Sequence, residues 1–187
     1  MKKLLLLLPL TAIILNSCYT AKVYQLEGKN YGAIQIIKSS KPVDTVWSNI
    51  IDMFATKGIS IKTIDKNSGL IVTDRYNFKR HYSFEINGKL IDTTAWVALS
   101  YVAVKGGYPE NSVNVSADWN VRVKPEGTGS IINVNLTNIE AGVHFKKLNT
   151  LASINVDGKP PVYDDIDYTL DGESTGVFEK TIIDIVK

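Results

Sequence analysis

Val113-Asn114-Val115-Ser116-Ala117-Asp118-Trp119-Asn120-Val121-Arg122-Val123 is the stretch on which the fold turns. Val113, Val115, Ala117, Trp119, Val121 and Val123 alternate strictly with Asn, Ser, Asp, Asn and Arg. A period of two puts successive side chains on opposite faces, so one face meets a core and the other meets water. Sheets wetted on one face are characteristically antiparallel. The next residues support that pairing. Pro125-Glu126-Gly127-Thr128-Gly129 has turn chemistry, and Ser130 to Ile139 offers a partner strand, with Ile132, Val134 and Leu136 again in alternation.

Working back towards the N-terminus, Trp96 to Val104 reads as one long apolar strand, broken by Gly106-Gly107-Tyr108-Pro109. Asn87-Gly88 is a strong hairpin signal, with Lys89-Leu90-Ile91 opening the next strand. Tyr76, Phe78 and Tyr82-Phe84-Ile86 carry further β structure. Ile59 to Ile64 and Leu70 to Asp74 form a pair around the turn Asp65-Lys66-Asn67-Ser68-Gly69.

Ahead of them the period changes. Val43, Val46, Trp47, Ile50, Ile51 and Phe54 fall on one face of a helix. Ser39-Ser40-Lys41-Pro42 supplies hydroxyl caps and an early proline, Asp44 suits the positive end of the helix dipole, and Gly58 suits the position beyond the last turn. Gly32 to Ile37 reads as a first strand. Val177, Phe178, Ile182, Ile185 and Val186 predict a closing helix, capped by Ser174 or Asp171. Residues 140–172 show no clear period; short strands and a long loop around Gly158-Lys159-Pro160-Pro161 are expected there.

Both helices are one-sided and need a sheet to lie on. The expected class is therefore α+β: an antiparallel sheet packed on a helix from the N-terminal half and on a C-terminal helix.

The N-terminus carries a different message. Met1-Lys2-Lys3 is followed by an uncharged run, Leu4 to Leu15, too short for a spanning helix of about 20 residues. It has the flanks and length of a secretory signal. Leu15-Asn16-Ser17-Cys18 resembles the lipobox of bacterial lipoproteins. That resemblance implies lipid on the Cys18 sulfur, cleavage between Ser17 and Cys18, and acylation of the new amine. Cys18 is the single cysteine of 187 residues, so no intramolecular disulfide can form. No Asp follows Cys18 to resemble an inner-membrane retention signal. The expected location is therefore the outer membrane, lipid-anchored and facing the periplasm. The expected organisation is a signal peptide over 1–17, a lipidated cysteine and tether over 18–32, and one domain over 33–187.

Setting aside Lys2 and Lys3, the 21 Lys and Arg residues become 19, against 19 Asp and Glu. A balanced chain has no cationic surplus to attract nucleic acid. A hydrophobic fraction of 44% belongs to a folded protein.

The run Val46-Trp47 through Gly58-Ile59-Ser60-Ile61, then Asp65 and Gly69-Leu70-Ile71-Val72-Thr73, is similar to the helix-grip domains of BamC-type outer-membrane lipoproteins. It also resembles related uncharacterised lipoprotein families, which Ser174-Thr175-Gly176-Val177-Phe178-Glu179 fits better. The resemblance implies a helix-grip-like fold, and bears on fold more than on function.

Candidate chemistry is sparse. His81 and His144 lie outside any metal-binding spacing. Asp164, Asp165, Asp167, Asp171 and Glu173 cluster, but an EF-hand begun at Asp165 would place Leu170 where glycine is needed and Gly176 where glutamate is needed. A solvated loop is the simpler expectation, with a different kind of calcium site as the alternative. No nucleophile elbow or phosphate loop occurs, and Ser174-Thr175-Gly176 reads as a cap. Tyr76, Phe78, Tyr82 and Phe84 beside Arg75, Lys79 and Arg80 are candidates for stacking a sugar or peptide, set against a strand with one face in the core. The Asn-x-Ser/Thr sites at Asn114 and Asn135 carry no weight in a bacterial lipoprotein.

No catalytic residue, metal or cofactor is assigned. The expectation is a non-enzymatic protein-binding or scaffolding lipoprotein, held to the membrane through Cys18 and meeting a protein partner in the envelope. The alternative is a lipoprotein that binds a small ligand or sugar.

Overall fold

The computed structural model describes residues 21–28, 31, 36–104, 107–109, 113–148 and 163–187. Ser17 and Cys18 lie outside the described residues. In chain order the elements are β1 (Ala21–Tyr24), β2 (Ile36–Ser39), α1 (Val43–Thr56), β3 (Ile61–Asp65), β4 (Leu70–Thr73), β5 (Tyr76–Asn77) and β6 (Tyr82–Ile86). They continue with β7 (Lys89–Leu90), β8 (Val97–Leu99), β9 (Tyr101–Val104), β10 (Gly107–Pro109), β11 (Asn114–Glu126) and β12 (Gly129–Leu148). The last are β13 (Tyr163–Leu170), β14 (Gly172–Ser174) and α2 (Val177–Val186).

The expected α+β class with a helix-grip-like arrangement does not hold. Among the described residues strand accounts for 55% and helix for 17%, with two helices set against three sheets rich in antiparallel pairs. The molecule is predominantly a β-sheet domain. The shift comes from residues whose period is hidden. β12 runs 20 residues, well past Ile139, and β13 pairs with it from Ala141↔Leu170 to Leu148↔Tyr163. The apolar alternation there is short: Ala141, Val143 and Phe145 of β12 lie buried opposite Leu170, Tyr168 and Ile166 of β13, and charged Lys147 and Asp164 follow on the same face.

The large sheet has eight strands, with β10-β12-β11-β4-β3 as its path and β13, β2 and β5 attached to β12 and β11. β11 and β12 form its spine, closed at Glu126↔Gly129. Their register shifts between Ser116 and Asp118, and the extra residue falls on β12. Asn138, at φ 53°, takes the left-handed conformation there that asparagine tolerates. Arg75 clamps the irregularity: Nε donates to Ser116 Oγ at 2.8 Å, and Nη2 donates to the Asn138 carbonyl at 2.8 Å.

The single expected strand over Trp96–Val104 is two strands in two sheets. β8 joins β14-β8-β6-β7, while β9 pairs with β1. Ser100 marks the break: its N–H donates to the Asp171 carbonyl and its Oγ accepts from the Asp171 N–H, both at 2.9 Å. Ala21–Tyr24, within the stretch read as tether, pairs with Tyr101–Val104.

Val46, Trp47, Ile50, Met53 and Phe54 of α1 are buried, as the helical period requires. Its C-terminus closes with the Ile59 N–H on the Phe54 carbonyl at 2.8 Å and the Gly58 N–H on the Ala55 carbonyl at 3.1 Å, with Gly58 at φ 67°. The N-cap position belongs to Pro42 and lacks a side-chain bond. Ser39 instead donates its hydroxyl to the Val186 carbonyl at the end of α2. Asn49 Nδ2 donates to the Ile185 carbonyl at 3.0 Å. The last carbonyls of α2 are thus satisfied by residues from the other end of the chain. For α2 the N-cap is Gly176 at φ 81°, not Ser174 or Asp171.

The core is aromatic at its centre. Trp119 stacks on Phe178 with centroids 3.9 Å apart; Phe178 lies 4.8 Å from Trp96 and 6.1 Å from Phe54. Among the described residues no helix is long and apolar enough to cross a membrane.

Candidate functional site

The outward face of the large sheet carries an open trough of about 620 Å³. β11 supplies Asn120 and Arg122, β12 supplies Asn133 and Asn135, β4 supplies Leu70 and Val72, and β2 supplies Ile36. These are the polar positions of the alternating stretch that fixed the strands. Register places them in two rows across the sheet: Val72, Asn120 and Asn135, then Leu70, Arg122, Asn133 and Ile36. Asn120 Nδ2 reaches Thr137 Oγ1 at 3.3 Å. The Arg122 guanidinium makes no ion pair among the described residues. An exposed cation between amides, rimmed by aliphatic side chains, suits a polar ligand lying flat on the sheet. Ile36 is 62% exposed.

Beside the trough runs β3, the edge of the sheet path. Thr63 pairs with Val72 and Asp65 with Leu70, so both border the trough; Ile64 pairs with Ile71 on the inner face. Ile71 is fully buried, whereas Ile64 is 52% exposed. The apolar strip of the core therefore runs out to an uncovered edge.

The residues singled out from sequence are dispersed. His81 stacks on Trp96 with centroids 4.1 Å apart. His144 lies between two carboxylates of β13, with Nδ1 2.7 Å from Asp167 Oδ1 and Nε2 3.3 Å from Asp165 Oδ1. The hydrogen bond to Asp167 is the largest cause raising its pKa above the usual value. Asp171 is held through its backbone by Ser100, and Glu173 lies on β14 beside Ala98 of β8. The acidic run is thus strand, not a coordinating loop. Among the described residues no cluster of histidine and acidic side chains is arranged to hold a metal ion.

Phe78 is fully buried, and Tyr76 packs edge-on against it with centroids 5.0 Å apart. Arg75 is committed to the bulge and pairs with Glu140 at 3.0 Å. That part of the aromatic stretch is core and clamp. Tyr82 and Phe84 are half-buried on one face of β6. Of the Asn-x-Ser/Thr sites, Asn114 opens β11 and Asn135 lines the trough.

The sequence reading passed over Arg122 and Asn133. One signal was present: asparagine is disfavoured in strands, yet Asn120, Asn133 and Asn135 occupy solvent-facing positions of the two clearest strands.

A buried carboxylate lies on α2. Glu179 is 3% exposed in the first turn of α2. Ser174 Oγ donates to its Oε1 at 2.7 Å, while Oε2 has no hydrogen-bond partner. Burial pushes its pKa above the ordinary carboxylate value.

No protein-family model matches the chain, and no curated protein matches it.

Proposed function

We propose that the chain is a lipid-anchored protein of the outer membrane, facing the periplasm, which performs no chemistry and holds an extended segment of a partner protein along the edge of its large sheet. The observation that carries this is β3. Among the described residues it pairs with β4 alone, and Lys62 to Asp65 are exposed. An unpaired edge offers main-chain donors and acceptors to an incoming strand. One side chain of that strand would cover Ile64 and extend the apolar strip; its opposite face would border the trough. The anchor is supported by Leu15-Asn16-Ser17-Cys18.

The test is cross-linked capture from native envelopes with a tagged chain, alongside Cys18→Ala and Ile64→Pro, since in the alternation of the ladder the Ile64 N–H points away from β4. Proline cannot donate to a ladder. Outer-membrane assembly components are the first class to look for. Their recovery with the parent chain and loss with both variants is the expected result. Recovery unchanged by Ile64→Pro overturns the edge as the docking site.

Arg122, without an ion pair among the described residues and set among three asparagines, favours a second reading, a hydroxyl-rich or anionic small ligand in the trough. Calorimetric titration with sugars and sugar acids distinguishes it, because Arg122→Ala would abolish the heat while leaving partner capture intact.

A further inference from the structure

Four half-buried aromatic side chains make a continuous row, its Tyr82 and Phe84 end packed against the core. The Tyr24 and Tyr101 rings are 5.7 Å apart across the β1–β9 pair; Phe84 lies 5.3 Å from Tyr101, and Tyr82 lies 6.0 Å from Phe84. Tyr24 and Tyr101 are cross-strand partners and so share a face, and Tyr82 and Phe84 share a face of β6. One exposed aliphatic residue flanks the row: Ile91, 69% exposed, whose N–H donates to the Phe84 carbonyl. The Lys22 ammonium sits 4.4 Å over the Tyr24 ring.

We propose that this row lies against the bilayer surface that holds the anchor. The proposal rests on Cys18 being lipidated. Only Tyr19 and Thr20 separate Cys18 from the first residue of β1. Three Cα steps reach at most about 11 Å, whatever conformation they take. A lipid-bearing cysteine therefore holds β1 at the head groups and leaves little room for a partner protein between. Tyrosine suits that boundary, with its ring among the upper acyl chains and its hydroxyl in the wet layer. Lys22 can extend its ammonium to lipid phosphate while its stem covers Tyr24. With mature charge balanced at 19 against 19, the contact depends on the aromatic face and the anchor rather than on net attraction.

The test uses the full lipidated chain in vesicles of phosphatidylethanolamine and phosphatidylglycerol. Lipidation blocks the Cys18 thiol, so an introduced cysteine is the single site for a nitroxide spin label. Ile91→Cys reports from the row, and Thr128→Cys reports from the exposed turn of another sheet. Collision with oxygen, which concentrates in lipid, is compared with collision with a water-soluble nickel chelate. The expected result is a ratio of oxygen to nickel accessibility raised several-fold at position 91 over position 128. Equal ratios at the two positions overturn the proposal, because the row is then in water. Exclusion of both reagents at position 91 also overturns it, because protein then covers the row. Tyr24→Ser should lower the ratio at position 91. The acyl mass on Cys18 is read from the same sample. An acylated chain with a wetted row refutes only the membrane contact, whereas an unacylated chain refutes the anchor and this inference together.

Discussion

Glu179 and His144 show how neighbours set the behaviour of single residues. Burial raises the pKa of Glu179 above its ordinary value of 4.5, so the folded chain holds this proton to higher pH than the unfolded chain does. Between the ordinary and the raised value the folded state binds more protons, and stability falls as pH rises across that window. Glu179→Gln keeps a partner for Ser174 and removes the charge. It is expected to stabilise the protein by about 1 kcal/mol above the window and to make no such difference below it, read from urea midpoints against pH. His144 titrates with the same sign for another reason. Asp167, and after it Asp165, favours its protonated form, so the stabilisation from this group is full below 6.5 and is lost as pH climbs through the raised value. An NMR titration should place its midpoint above 6.5, and Asp167→Asn should lower it. Neither environment was legible in the sequence. The Asp165 and Asp167 partners of His144 follow from the register between β12 and β13, which neither strand's own pattern specifies.

Within the elements, helix α1 and the hairpins at Asn87-Gly88 and Gly127-Thr128 fall where period and turn chemistry put them. Local rules decide such features. The capping residues did not follow the rules in the same way, because hydroxyls near a helix start can be claimed from elsewhere. Ser39, expected to cap α1, serves the C-terminus of α2. Ser39→Ala is expected to cost about 1–3 kcal/mol by leaving that carbonyl buried and unpaired. Amide exchange should show α2 loosened and α1 unchanged. Gly69 answers to a long-range constraint too. A Cβ there would come within 1.9 Å of the Val123 carbonyl, and φ is already 71°. Gly69→Ala should therefore destabilise by more than the roughly 1 kcal/mol that glycine's backbone freedom alone accounts for, measured by thermal denaturation. The division of Trp96–Val104 between two sheets was equally hidden, since every residue there is compatible with one apolar strand. The partners of Ser100 are supplied by Asp171, far along the chain.

For the molecule as a whole, the sequence supported antiparallel sheets and two helices but misjudged their proportions. The alternating stretch from Val113 to Val123 was clear because one of its faces is fully buried. Residues 141–148 and 163–170 pair with each other; their apolar alternation, Ala141, Val143 and Phe145 opposite Leu170, Tyr168 and Ile166, is only three residues long on each strand and was passed over. The trough was half visible, as misplaced asparagines, and half dependent on β2 and β4 lying on either side of the spine. The core joins distant segments. Phe178 lies against Trp119, Trp96 and Phe54, and Phe178→Ala is expected to cost about 3–5 kcal/mol, with loss of the near-ultraviolet circular dichroism of the buried tryptophans. The same closure bears on time as well as on stability. β1 waits for β9, β2 for β12, and Ser39 for Val186, so few of these pairings form between near neighbours. Contacts of such wide separation make collapse to the native state slow. The fold also cannot seal its aromatic centre until residues 177–186 have emerged. For the export that the proposed anchor entails, this delay has a use: the distant segments lock only after both have crossed the translocation pore, and topology holds off premature folding.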